Sequence, residues 1–72
     1  MAFYDPQKTS WPEVLGWPVY PAMQRIRQDR PELWVEVHRA GESVRPGVNN
    51  RRVRVFVNLD EGHTVAQTPV VG

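Results

Sequence analysis

The spacing of apolar residues predicts one helix in the first half of the chain. Between residues 19 and 26 the apolar positions follow the i, i+3, i+4, i+7 spacing of a single helical face. Pro18 and Pro21 are compatible with this helix, because a proline in the first turn lacks only an N–H that has no partner inside the helix. Pro31 ends the helix near Asp29. We therefore predict a helix of about three turns.

Strict alternation of apolar and polar residues predicts two strands after the helix. Residues 33–38 alternate Leu and Val with Trp, Glu and His, and residues 52–57 place Val at every second position. A third, short strand is predicted at residues 64–67, after the sequence NLDEGH. Residues 39–51 show neither period, and loops of this length inside a compact domain are usually functional or disordered.

Composition limits the fold to a single small domain. The chain has 72 residues, of which 40% are hydrophobic and 24% charged, and it has no cysteine. These values predict a folded domain without disulfides. We expect an α+β fold in which one helix packs on a small sheet. The predicted core consists of the side chains on the apolar side of each period and in the Trp-Pro segment: Trp11, Leu15, Val19, Ala22, Ile26, Val35, Val37, Val53, Val55 and Val57.

Catalytic, metal and nucleotide chemistry find little support in the sequence. The two histidines, His38 and His63, and the two serines have too little scaffold around them to form a catalytic cleft with supporting residues. The histidines are expected to be an exposed strand residue and a turn residue. No spacing of His, Asp and Glu resembles a metal site, and Gly41 and Gly47 lack the pattern of a phosphate-binding loop. We predict that the protein is not an enzyme and has no cofactor.

Five arginines lie within sixteen residues, and two interpretations of them remain open: Arg39, Arg45, Arg51, Arg52 and Arg54. They are either solvated surface charges or a site for a polyanion. Nucleic acid is not expected as a partner, because no aromatic residues are interleaved for base stacking. Arg52 and Arg54 lie on the same face of a strand, about 6–7 Å apart. That geometry suits the binding of oxygens in a neighbouring segment.

The sequence gives no sign of a membrane segment or a targeting segment. Its longest apolar run is three residues, so no membrane association is expected. The first residues, MAFYDPQ, lack the basic start and apolar stretch of a signal peptide. We expect either a protein that stays inside the cell or a secreted one whose leader has been removed.

The order of these features resembles the potato inhibitor I family of serine-protease inhibitors, the eglin and barley chymotrypsin-inhibitor type. The resemblance rests on KTSWPEVLG, a helix ending in QDRPE, a Val-rich strand, a long loop, RRVRVFV and the closing TPVVG. It covers residues 8–72 as one domain and leaves residues 1–7 as a loose N-terminal lead-in. It implies a mixed sheet in which two parallel strands are joined by a long exposed loop.

The resemblance also implies a function and a class of partner. Such a loop enters the cleft of a serine protease in an extended, substrate-like conformation. The expected partner is a subtilisin-, chymotrypsin-, elastase- or trypsin-like protease, bound by a monomeric inhibitor. The register of the resemblance places the reactive bond between Pro46 and Gly47. The residues implied to contact the protease on either side of this bond are Val44, Arg45, Val48 and Asn49.

The resemblance assigns the support of the loop to Arg52 and Arg54. In disulfide-free members, two arginines hold the side chains that flank the reactive bond, usually a Thr and an acidic residue. This chain has Arg45 and Gly47 at those positions. Other acceptors are therefore expected, such as loop carbonyls, Asn side chains and the carboxylate of Gly72. The alternative function is an inhibitor scaffold without protease inhibition, whose Arg-rich loop binds another protein or a polyanion.

Overall fold

The computed structural model describes residues 7–72, so most of the predicted lead-in, residues 1–6, lies outside the described residues. Within them, the chain forms a short 3₁₀ helix, one α-helix and three strands. Their bounds are Pro12–Val14 for the 3₁₀ helix, Val19–Asp29 for α1, Trp34–Arg39 for β1, Arg52–Val57 for β2 and Val70–Val71 for β3. The helix contains the predicted apolar face and ends at Asp29 as predicted. The second predicted strand has the bounds of β2, and the first predicted strand is shifted by one residue.

The helix begins directly after Pro18 and tolerates a proline in its first turn. Its first regular hydrogen bond runs from the N–H of Ala22 to the carbonyl of Pro18, at 3.2 Å. Ala22 and Ile26 are completely buried, and they pack in one cluster with the valines of β2. The helix ends before Pro31, because the residue that precedes a proline is disfavoured in the helical region.

The sheet has the order β1-β2-β3 and contains both parallel and antiparallel pairs. β1 and β2 run parallel in a continuous register from Trp34 opposite Arg52 to Arg39 opposite Val57. β3 runs antiparallel to β2. One helix on a small mixed sheet confirms the predicted α+β fold. The face of β2 that carries its valines is buried against the helix, and the opposite face carries Arg52, Arg54 and Phe56.

The prediction of a strand at residues 64–67 is wrong. This segment makes only isolated bridges, from Val65 to Val57 and from Thr64 to Pro18. The third strand lies later, at Val70–Val71, where the N–H of Val71 also donates to the carbonyl of Thr9 at 2.9 Å. A strand of two residues is too short to show a period, so the alternation pattern could not reveal it.

Two residues predicted in the core are exposed. Leu15 is 51% exposed and Val37 is 44% exposed. The 3₁₀ turn buries Val14 instead of Leu15. Val37 lies in β1, which is an edge strand of the sheet, whereas the valines of the central strand β2 are buried. Val65 is buried although it was not predicted in the core.

A cluster of charged side chains joins the N-terminal segment to the end of the helix. The carboxylate of Asp29 is buried and accepts hydrogen bonds from Nε1 of Trp11, at 3.0 Å, and from Nζ of Lys8, at 2.9 Å. Nε of Arg25 lies 3.3 Å from the same carboxylate, and Lys8 also pairs with Glu13. Burial acts to raise the pKa of Asp29, but these donors outweigh it and lower the pKa.

Candidate functional site

Residues 40–51 form an irregular segment of twelve residues that joins the two parallel strands. β1 ends beside Val57 and β2 begins beside Trp34, so the connection must return along the whole strand pair, roughly 17 Å. Its twelve residues can extend to roughly 40 Å. The loop is therefore much longer than the connection requires, and most of its residues are exposed.

Main-chain hydrogen bonds fix the start of the loop to the sheet. The N–H of Ala40 donates to the carbonyl of Val57 at 2.8 Å, which extends the pairing beyond the end of β1. The N–H of Glu42 then donates to the carbonyl of Arg39 at 2.9 Å and closes a tight turn. Gly41 lies in this turn with a φ of 83°, a conformation that glycine adopts without strain.

The end of the loop is fixed by Asn49. Its side-chain oxygen accepts a hydrogen bond from the N–H of Arg51 at 2.9 Å, and its carbonyl accepts one from the N–H of Arg52 at 3.2 Å. The N–H of Trp34 donates to the carbonyl of Arg51 at 2.9 Å, so the sheet continues one residue before β2. Both ends of the loop are therefore held by the parallel strands.

The six residues predicted to meet a protease are consecutive and form the middle of the loop, from Val44 to Asn49. Val44 and Asn49 are half-buried, and the four residues between them are exposed. Val48 is 85% exposed, more than any other large hydrophobic residue described. Gly47 has a φ of 126°, in a region that residues with side chains rarely adopt. Glycine at this position therefore allows a backbone path that a residue with a side chain would disfavour.

Arg52 connects the middle of the loop to the end of the chain. Its Nε donates to the main-chain oxygen of Gly72 at 2.9 Å, and its Nη2 donates to the carbonyl of Gly47 at 3.4 Å. Gly72 is held in turn by its own N–H, which donates to the carbonyl of Arg52 at 2.9 Å. The predicted residues Arg52, Gly47 and Gly72 thus lie together on the face of the sheet opposite the helix.

Arg54 has a different partner, although it lies on the same face of β2. Its Nε is 3.5 Å from Oε1 of Glu36 on the neighbouring strand, and this buried nitrogen has no hydrogen bond. Among residues 7–72, no hydrogen bond joins the Arg54 side chain to the loop. The structure therefore brings one of the two predicted arginines to the loop and pairs the other within the sheet.

The remaining arginines of the predicted cluster, Arg39, Arg45 and Arg51, are exposed. Arg39 is the last residue of β1, Arg45 lies in the middle of the loop, and Arg51 lies at its end. Arg52 and Arg54 are turned toward acceptors of the protein itself. Two of the five arginines are therefore engaged by acceptors of the protein itself, which weakens the polyanion interpretation.

One cluster was not predicted from the sequence: His38 lies between the carboxylates of two glutamates. His38 is half-buried rather than exposed. Its Nδ1 is 2.7 Å from Oε2 of Glu42, and its Nε2 is 3.0 Å from Oε1 of Glu36. Its ring stacks on Phe56 of β2, with ring centroids 5.6 Å apart. The alternation of β1 already placed Glu36 and His38 on one face, but the return of Glu42 toward that face depends on the turn at Gly41.

The two carboxylates change the protonation of His38. The hydrogen bond to Glu36, and to a smaller extent the hydrogen bond to Glu42, raise the pKa of His38 above its ordinary value of 6.5. The same imidazole is the main cause that lowers the pKa of Glu36 and of Glu42. The two carboxylates therefore favour the protonated imidazole over the neutral one, compared with a free histidine.

Other kinds of site find no support in the described part of the chain. Within residues 7–72, no group of three His, Cys, Asp or Glu side chains is placed to hold a metal ion. No helix formed by these residues has the length and apolar character needed to span a bilayer. The exposed loop, supported by Arg52 and by the His38 cluster, is the candidate functional site.

Known proteins resemble this chain in sequence and in fold. A model of the potato inhibitor I family matches residues 3–72. Subtilisin inhibitor 1 of Phaseolus angularis is 34% identical over 67 residues, which cover 93% of this chain and 71% of that protein. Ethylene-responsive proteinase inhibitor 1 of Solanum lycopersicum is 44% identical over 66 residues, which cover 90% of this chain and 54% of that protein. This chain thus spans about half the length of the tomato relative.

A solved structure supports the same relationship. The crystal structure of bitter gourd trypsin inhibitor matches with a TM-score of 0.82 and 29% sequence identity, covering 90% of this chain and 93% of that one. The matched family and these relatives are named as inhibitors, which agrees with the prediction that the protein is not an enzyme. The match extends over nearly all of the sequence and over the fold. The chain belongs to the potato inhibitor I family.

Proposed function

We propose that this protein inhibits a serine protease by inserting residues 44–49 into the active-site cleft in a substrate-like way. The family and the names of the relatives support the general class of activity. The bond between Pro46 and Gly47 then lies at the catalytic centre, with Val44 and Arg45 before it and Val48 and Asn49 after it. Main-chain hydrogen bonds to the protease add the loop as a short extended strand.

The observation that carries the proposal is an exposed loop whose two ends belong to one pair of parallel strands. Binding by such a loop costs little conformational entropy, because its ends are already fixed. The hydrogen bond from Arg52 to the carbonyl of Gly47 adds a tether in the middle. If the reactive bond is cut, β1 and β2 keep the two new ends close together, since six residue pairs still join the strands. Rejoining of the two ends then competes with their release from the protease, so net hydrolysis of the loop is slow.

The residue that enters the specificity pocket determines the class of protease. In the register of the family this residue is Pro46, which has no N–H to donate to the enzyme. An unmatched buried acceptor costs about 1–3 kcal/mol, or roughly one to two decades in affinity. We propose a target with a pocket for a small apolar side chain. Trypsin-like enzymes would instead require Arg45 in the pocket, one residue earlier in the loop.

Inhibition constants measured against subtilisin, chymotrypsin, elastase and trypsin test this function. Replacing Pro46 by Leu restores an N–H donor and adds a larger apolar side chain. We expect Pro46→Leu to bind subtilisin and chymotrypsin about tenfold more tightly than the parent, or better. Gln28→Leu adds the same side chain to the exposed surface of α1 and serves as the matched control, with no change expected.

The results also separate the alternatives. An unchanged or weaker constant for Pro46→Leu would show that the register is wrong. Inhibition of trypsin alone, abolished by Arg45→Gln, would show that Arg45 enters the pocket. If neither the parent nor Pro46→Leu inhibits any of the four enzymes, the loop serves another partner, such as a different protein or a polyanion.

A further inference from the structure

His38 occupies a position from which it can hold the start of the loop. It lies on β1, and the Glu42 carboxylate that it contacts at 2.7 Å belongs to the loop, four residues before Pro46. Glu42 is also bound by the main chain, since its Oε1 accepts a hydrogen bond from the N–H of Arg39 at 3.3 Å. The start of the loop is thus attached to the sheet through one carboxylate.

The charge state of His38 decides whether both contacts can form. A neutral imidazole has one N–H and one acceptor nitrogen, so it donates to only one of two carboxylates. Its second nitrogen would then place a lone pair against a carboxylate oxygen. The imidazolium donates from both nitrogens, to Glu36 and Glu42 together. The geometry of the cluster, with short contacts at both nitrogens, therefore fits the charged ring.

Charged groups face the cluster from every element around it, and they act in opposite directions. They are Glu36 and Arg39 of β1, Arg52 and Arg54 of β2, and Glu42 at the start of the loop. The arginines are attracted to the glutamates and compete with the imidazolium. The two carboxylates contact the ring directly, so their effect dominates and the pKa of His38 is raised.

We propose that His38, as an imidazolium between Glu36 and Glu42, is a positioning residue that holds the first half of the protease-binding loop against the sheet, so that inhibition weakens in alkaline solution. This inference rests on the proposed inhibitory function, and it adds a control of that function by pH. His38 supports the loop before the reactive bond, as Arg52 supports it after the bond.

The direction of the pH effect follows from the raised pKa of His38. The stabilisation is fully present below the unfolded value of about 6.5, and it is lost as the pH rises through the higher folded value. The loop should be held most firmly in weakly acidic solution. Loss of the proton removes the hydrogen bond to one glutamate and leaves the turn at Gly41 held by its main-chain bonds.

An NMR titration of the free protein tests the positioning role without any protease. The imidazole signals of His38 and the amide signals of residues 42–45 are followed together over a range of pH. We expect His38 to titrate above 6.5 and the amide signals to follow the same curve. His38→Gln should abolish the change at the amides. Glu42→Gln, which leaves the strand intact, provides a second variant if His38→Gln does not fold.

His63→Asn is the matched control, because it removes the other histidine of the chain. His63 is exposed and has a φ of 47°, a conformation that asparagine tolerates. The amide titration should be unchanged in this variant. A His38 titration at or below 6.5, or amide signals at residues 42–45 that do not follow it, would overturn the inference.

The second measurement compares inhibition constants at about pH 6 and about pH 9, against whichever enzyme the parent inhibits. We expect the ratio of the parent constant to that of His38→Gln to rise by about two- to fivefold at the higher pH, the range of a partly exposed ion pair. The ratio to His63→Asn should stay constant. A constant ratio for His38→Gln would overturn the inference while leaving the inhibitory function intact. If no enzyme is inhibited at either pH, the proposed function fails, and the amide titration decides alone whether His38 holds the loop.

Discussion

At the scale of single residues, Arg52 and Arg54 lie on the same face of β2 but contact different partners. Arg52 donates to the main-chain oxygens of Gly47 and Gly72, and Arg54 pairs with Glu36 inside the sheet. A neutral carbonyl is a weaker acceptor than a carboxylate, by roughly half. The middle of the loop is therefore held by a weaker bond than an acidic residue at position 47 would provide.

Removing the Arg52 side chain should loosen the loop. In Arg52→Gln the contacts to Gly47 and Gly72 are lost, so residues 44–49 should show lower NMR order parameters. Cleavage within the loop by an excess of protease should be about fivefold faster, the effect of losing roughly 1 kcal/mol. Arg54→Gln is the matched control and should change the cleavage rate less. Equal acceleration by both variants would contradict the distinction between the two arginines.

The sequence could predict which residues lie in the loop but not all of the contacts that hold it. The register of the resemblance placed Pro46 and Gly47, and alternation placed Arg52 and Arg54 on one strand face. The contact between His38 and Glu42 could not be predicted, because strand periodicity defines a face and says nothing of where a loop residue returns to it. The positive φ of Gly47 also depends on the path of the whole loop.

At the scale of elements, Asp29 attaches the N-terminal segment to the helix. A carboxylate in the last turn of a helix is disfavoured by the helix dipole. Asp29 is nevertheless buried at this end of α1, where Lys8 and Trp11 donate to it. The contacts of Asp29 with the N-terminal segment therefore explain its position, whereas the helix dipole alone would disfavour it.

Replacing Asp29 by Asn should destabilise the protein at neutral pH. The carboxylate accepts hydrogen bonds from Lys8 and Trp11, so its loss should lower the free energy of unfolding by about 1–3 kcal/mol. Because the folded pKa of Asp29 is lowered, its contribution is present above the unfolded value of about 3.9. That contribution disappears as the pH falls through the folded value. Urea unfolding at a series of pH values should therefore show that the difference between parent and variant shrinks in acid.

Glu61→Gln is the matched control for this prediction. Glu61 is exposed, and its replacement removes one carboxylate charge just as Asp29→Asn does. We expect nearly parental stability for Glu61→Gln at every pH. A stability of Asp29→Asn equal to that of the parent at neutral pH would show that the buried carboxylate does not hold the N-terminal segment.

The helix and β2 could be predicted because each shows a clear hydrophobic period. The short strand β3 could not, because only its pairing with β2 defines it. The helix and β2 each show several repeats of their own period, and the predicted end of the helix and the predicted bounds of β2 were confirmed. Val37 follows the same alternation as β2 but is exposed, because its strand lies at the edge of the sheet. β3 contains two residues, and its pairing with Arg54 and Val53 is a tertiary contact that no local pattern records.

At the scale of the whole molecule, the parallel strand pair explains why a long loop can be both exposed and fixed. Parallel strands need a connection that returns along their length, and here that connection is a loop instead of a helix. The helix packs Ala22 and Ile26 against the valines of β2, on the face of the sheet opposite Arg52. The loop is thus free to meet a partner while its two ends remain parts of the same sheet.

A crystal structure of the complex with the most tightly inhibited protease tests the substrate-like mechanism most directly. We expect the catalytic serine oxygen to lie about 3–3.5 Å from the carbonyl carbon of Pro46, with residues 44–48 paired to the enzyme as an added strand. The hydrogen bond from Arg52 to Gly47 should be retained in the complex. A loop outside the cleft, or a serine oxygen placed against the carbonyl of Arg45 or of any other residue, would contradict the proposed reactive bond.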